Sequence, residues 1–157
     1  MNQSLKTGIA FGLTSGVITT LGVMIGLNAA TSVRLAVIAG ILTIAISDAF
    51  SDALGIHISQ ESSKKNSHAQ VWQATLSTFL TKLIVALTFL IPIFIFPLQT
   101  AILVNLTWGI ILITTFNYYL AKSRNESPIK TISEHLAITI TVIAITHLTG
   151  KLIAIYF

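Results

Sequence analysis

A chain of 157 residues that is 54% hydrophobic and 9% charged cannot hide its apolar surface in one soluble core, because soluble domains are about a quarter charged. With a mean hydropathy of +0.85, the composition is that of a polytopic membrane protein. The formal charge of +4 comes from few residues and reads as membrane topology rather than a nucleic-acid surface, and the lack of cysteine excludes disulfides, thiolate metal sites and cysteine nucleophiles.

A membrane span needs about 20 apolar residues. Five such runs follow in order, over 8–27, 34–58, 74–96, 101–120 and 131–155. They predict an all-α membrane protein with a single five-helix domain over 1–157. The first run is too long for the apolar part of a cleaved signal peptide and reads as a span. Polar links cover 28–33, 59–73 and 121–130, and Pro97 to Thr100 forms a tight turn. Pro92 is expected to kink the third span near its end.

Five spans place the two termini on opposite sides. With the N-terminus cytoplasmic, the inner segments carry Lys6, Lys64, Lys65, Lys122, Arg124 and Lys130. The outer segments carry only Arg34 and Lys151, and Lys82 lies inside span three. The positive-inside rule therefore predicts a cytoplasmic N-terminus and an external C-terminus.

Five of the nine glycines fall in span one: Gly8, Gly12, Gly16, Gly22 and Gly26. Spacing of four keeps each set on one face and lets another helix backbone approach closely. The pattern suits either a dimer seam beside a pathway or packing within one chain. Thr14, Ser15, Thr19 and Thr20 add hydroxyls to the same helix.

Span two carries the chain's costliest residues. Asp48 and Asp52 stand one helical turn apart, about 40° apart around the axis. Ser51 is adjacent, and Gly55 and Ser59 continue the stripe. Each carboxylate at mid-membrane costs about 2.5–3.5 kcal/mol on insertion scales, so a cation, a proton, a lysine or water must compensate. At about 1.5 Å per residue, Ser15 and Asp52 both lie about 10 Å below the inner surface. Asp48, Asp52, Ser15, Thr19 and Ser51 are thus candidate oxygen ligands for a hard divalent cation. Lys82 is the candidate counter-charge, or a stand-in for the cation between transport events. His57 and Glu61, on roughly the opposite face, form a candidate cytoplasmic mouth.

His147 reads as a hydrogen-bonding rather than a relaying histidine. Asn105 and Asn117 read as interhelical hydrogen-bonding groups, and His135 and Glu134 as interfacial. Tyr118, Tyr119 and Trp72 read as interfacial anchors.

The chain resembles the vacuolar iron transporter family, as a short, divergent, prokaryotic-type member. Gly12-Leu-Thr-Ser-Gly-Val-Ile-Thr-Thr-Leu-Gly-Val-Met-Ile-Gly26 is similar to its first-helix motif. Ser51-Asp-Ala-Leu-Gly-Ile-His-Ile-Ser59 is similar to its second-helix motif, Ser-Met-Ala-x-Gly-Glu-Tyr-x-Ser. Ser127-Pro-Ile-Lys130 through Thr149-Gly150 is similar to its fifth helix. The resemblance implies a homodimer that exports Fe²⁺ or Mn²⁺ from the cytosol in exchange for protons, along a path between first helices. It departs at named positions. The family's first-helix aspartate falls on Ser15, its second-helix methionine on Asp52, and its glutamate on Ile56. The large metal-binding insert between spans two and three is replaced by a short link.

The sequence therefore predicts a dimeric divalent-cation transporter, an antiporter of the cell membrane, with no resident cofactor and no nucleic-acid partner. The rival reading is a non-transporting assembly or sensor protein that keeps the fold. No enzymatic activity is expected: aspartyl chemistry in a membrane needs carboxylates facing each other from different helices, and Asp48 and Asp52 share one.

Overall fold

The computed structural model describes residues 3–63 and 66–157, so Lys64 and Lys65 of the inner charge pattern lie outside the described residues. The helices are α1 (Gln3–Thr31), α2 (Arg34–Glu61), α3 (His68–Thr88), α4 (Leu90–Ile95), α5 (Leu98–Arg124) and α6 (Pro128–Tyr156). No strand occurs among the described residues. Among the described residues, five helical segments, counting α3 and α4 as one, are long and apolar enough to cross a membrane. Large apolar side chains such as Leu35, Phe50, Phe94 and Ile155 stand more than half exposed. An exterior of that kind is at home in a bilayer, not in water.

Each helix is longer than its apolar run, because polar residues at the ends continue the helix where water or a cap can satisfy the backbone. Ser67 and Gln70 form a capping box that starts α3 upstream of residue 74. Pro128 opens α6, and Asn125 closes α5 in the left-handed region. The expected six-residue link over 28–33 shrinks to Ser32 and Val33.

The third span is interrupted at Phe89, the one residue between α3 and α4, three residues before Pro92. Pro92 has no N–H for the Thr88 carbonyl one turn back, and α3 stops at Thr88. Helix α5 supports the break from the side. Asn105 Nδ2 donates to the Phe89 carbonyl at 2.8 Å, and Trp108 Nε1 donates to Thr88 Oγ1 at 3.0 Å. Arg34 ties the end of α4 to the start of α2 through the Phe96 carbonyl, at 2.8 Å.

Helix α1 is the centre of the bundle, packed against α2, α3, α5 and α6. Val17, Leu21 and Met24 are fully buried with Val37, Ile41, Phe89, Ile93 and Ile113. The glycines explain the close packing. Gly8, Gly12 and Gly16 face α3, and Gly22 and Gly26 face α6 of the same chain. A methyl group at Gly12 would lie 2.6 Å from the Thr78 carbonyl oxygen, so only glycine fits there. Both glycine sets are thus used in packing within one chain. Helix α6 is the least covered, with 11% of its apolar window buried against 50% for α1.

Candidate cation site

The buried stripe of α2 is Val37, Ile41, Ala45, Ala49 and Ala53, at a spacing of four. Its alanines bring the backbone close to α1 and α3, and Asp48 and Asp52 stand at the edge of that stripe. They point to one group. Lys82 of α3 is 1% exposed and forms ion pairs with both carboxylates. Nζ lies 2.5 Å from Asp48 Oδ2 and also donates to Asp52 Oδ2. The Asp48 oxygen is off the line of a hydrogen bond, so that contact is an ion contact by proximity alone.

Ser15 completes the cluster from α1. Its hydroxyl donates to Asp52 Oδ2 at 2.6 Å and accepts from Lys82 Nζ at 2.8 Å. Gly16 makes room for the lysine stem: a Cβ there would lie 3.3 Å from Lys82 Cγ. Three helices therefore meet at two carboxylates, one ammonium and one hydroxyl. If all three ionisable groups are charged, the cluster carries a net charge of −1. The carboxylates are 26% and 19% exposed, against 2% for the lysine side chain, so the cluster is open on the aspartate side.

Other expected ligands are placed elsewhere. The Thr19 hydroxyl donates to the Ser15 carbonyl one turn back, at 2.9 Å, so its proton is spent on its own helix. Ser51 is exposed, because it stands about 100° around the helix from Asp52. Gly55 and Ser59 are exposed too, and among the described residues no atom beyond the local helix backbone lies within 4 Å of a Cβ built at Gly55. The acidic stripe thus ends at Asp52. Among the described residues no group of three or more histidine, aspartate or glutamate side chains is arranged to hold a metal ion.

His57 and Glu61 form no pair. Glu61 is exposed, while His57 turns to α3, with Nδ1 2.9 Å from Thr75 Oγ1 and its ring edge-on to Trp72. The polar cavity at that end of the bundle lies instead on the other side of α1. Its volume is about 380 Å³, and Thr7, Thr14, Arg124, Glu126, Glu134 and His135 contribute its polar lining. The sequence offered a signal for it in the charged link after α5, beside the start of α6, but no sequence rule turns those side chains toward α1.

Asn105 bonds between helices, as expected; Asn117 instead donates to Ile113 of its own helix at 2.8 Å. His147 is half-buried on α6 without a hydrogen bond among the described residues. Comparison with known protein families, curated proteins and solved structures gives no match to this chain.

Proposed function

We propose that the protein is a divalent-cation transporter of the cell membrane that carries Fe²⁺ or Mn²⁺ out of the cytosol in exchange for protons. The observation that carries the reading is the buried lysine held by two carboxylates and a serine hydroxyl, midway along three apolar helices. Ionisable groups at that depth are costly and mark ion pathways or proton relays. Lys82 supplies the positive charge that a cation would otherwise supply. A divalent cation entering from the exposed aspartate side displaces the ammonium and takes oxygens from Asp48, Asp52 and Ser15. Water completes a coordination shell that these three side chains alone leave short. When the cation leaves, each carboxylate takes up one proton, and both protons depart before the ammonium returns, so one divalent cation is exchanged for two protons with the charge balanced.

The cavity beside Thr14 places Glu126, Glu134 and His135 next to the residue preceding Ser15. In this reading it is a vestibule that gathers cations at the cytoplasmic end, across α1 from the aspartates, with the N-terminus of α1 cytoplasmic. The described charges fit: Lys6, Lys122, Arg124 and Lys130 share one end of the bundle, and Arg34 and Lys151 the other. A homodimer would cover α6 and the shallow crevice where Gly22, Gly26 and Gly150 bring α1 and α6 together. The resemblance to vacuolar iron transporters supports the cation class.

The deciding experiment is metal-dependent flux into proteoliposomes. Asp48→Asn combined with Asp52→Asn should abolish it, and undiminished flux would remove the aspartates from the site. A second reading, a non-transporting protein of the same architecture, is favoured by Lys82 already lying between the carboxylates. That reading expects no flux from the natural chain and no change in melting when Mn²⁺ is added.

A further inference from the structure

A second site lies between α2 and α3, on the side away from α1 and independent of the cation reading. It is a slot of about 410 Å³, lined by Phe50, Leu54, His57, Trp72, Thr75 and Phe79 among others. Apolar pockets of this size with a few convergent polar groups are characteristic small-molecule sites. Phe50 and Phe79 close one end with ring centroids 4.7 Å apart, and His57 meets Trp72 at the other, at 4.9 Å. Seven residues of helix separate the two pairs on each wall, which makes the slot about 10 Å long. Trp72 is held in place, since its Nε1 donates to His68 Nε2 at 3.2 Å.

The polar end has a defined sense. Thr75 has one hydroxyl proton, and it goes to the Val71 carbonyl at 2.9 Å. Assigning the hydroxyl proton to the Val71 carbonyl makes Thr75 Oγ1 the acceptor for a neutral His57, with the imidazole proton on Nδ1. Nε2 is left as a bare acceptor without a partner among the described residues. The slot thus offers one lone pair at the end near the α2–α3 link and aromatic walls toward the middle of the bundle. An acceptor of this kind selects a ligand that brings an O–H donor.

We infer that this slot binds a membrane-soluble amphiphile with a phenol- or quinol-type head, its hydroxyl donating to His57 Nε2 and its tail running past the outer faces of the Phe50–Phe79 pair. A phenolic ring presents a flat apolar body to Trp72 and one donor to the imidazole, and the tail runs in the direction a lipid chain takes. A plain hydrocarbon satisfies the walls but leaves Nε2 bare.

The test uses the full chain in nanodiscs, with Trp108→Phe so that Trp72 is the remaining tryptophan. Para-nonylphenol should quench Trp72 fluorescence saturably, and nonylbenzene, which differs by the hydroxyl, should bind about tenfold more weakly. His57→Phe should reduce the phenol's affinity to that of nonylbenzene. If His57→Phe lowers the melting temperature by itself, Thr75→Val makes the same comparison. It keeps the imidazole, removes the acceptor that sets its tautomer, and should weaken the phenol but not nonylbenzene. Equal affinity for the two probes, or undiminished phenol binding in a folded variant, overturns the assignment.

Discussion

Ser15 and Lys82, on α1 and α3, are joined by a 2.8 Å hydrogen bond in which the serine oxygen accepts from the ammonium. The same hydroxyl donates to Asp52 at 2.6 Å. Ser15 is therefore the hinge of the cluster, linking the positive group to one of its negative partners.

Ser15→Ala should remove both bonds at once. A hydrogen bond to a charged group contributes about 1.5–3 kcal/mol, so the variant should lose about that much stability in thermal or chemical unfolding. If the site carries cations, affinity falls while flux at saturating metal survives, because Asp48 and Asp52 remain. A variant as stable as the natural chain would place Ser15 outside the cluster's energetics.

Lys82→Met should be more damaging than loss of the whole cluster. It leaves two carboxylates at the edge of a buried stripe without their shared cation. Removing one partner of a buried ion pair typically costs about 3–5 kcal/mol, because the charge left behind is uncompensated, and removing all the charges together avoids that cost. The triple variant Asp48→Asn, Asp52→Asn, Lys82→Met should therefore recover much of the stability lost by Lys82→Met alone. Added Mn²⁺ should stabilise Lys82→Met more than the natural chain, since the metal no longer competes with the ammonium. Equal melting temperatures for the single and triple variants would show that the charges do not act as a unit.

The glycines of the bundle divide sharply by what faces them. Gly12→Ala drives a methyl group against the Thr78 carbonyl oxygen, 2.6 Å away, and α1 cannot yield without disturbing α3. A loss of about 1–3 kcal/mol is expected, the range for overpacking a filled interior. Gly55→Ala meets nothing within 4 Å among the described residues beyond the local helix backbone and should gain up to about 1 kcal/mol from helix propensity. Unfolding in detergent compares the two directly.

Helical arithmetic set Ser15 level with Asp52 and put Asp48 on the same face, Lys82 was the candidate counter-charge, and the structure joins all four. Long apolar runs likewise made the five spans legible. The partner of each face was harder to read. Spacing of four says that Gly8, Gly12 and Gly16 share a side, but not whether α3 or a second copy fills it. Thr19 shares nearly the same side as Ser15, yet its side chain turns back to its own backbone, a choice of rotamer that spacing does not encode. His57 was read with Glu61 because they stand one turn apart, while Thr75 and Trp72, brought in by a different helix, decide where it points.

Orientation can be tested cleanly because the chain has no cysteine, so any introduced thiol reports alone. Ser32 lies between α1 and α2 and is exposed; Asn125, between α5 and α6, is exposed at the opposite end of the bundle. With the N-terminus cytoplasmic, Ser32→Cys should react with a membrane-impermeant maleimide added to intact cells, and Asn125→Cys only after lysis. Both positions have positive backbone φ, 53° and 56°, which favours glycine and asparagine over cysteine. Each substitution should therefore lower stability slightly, and melting should be checked before labelling is read. The reverse labelling pattern would invert the bundle and place the Glu126–Glu134–His135 cavity outside.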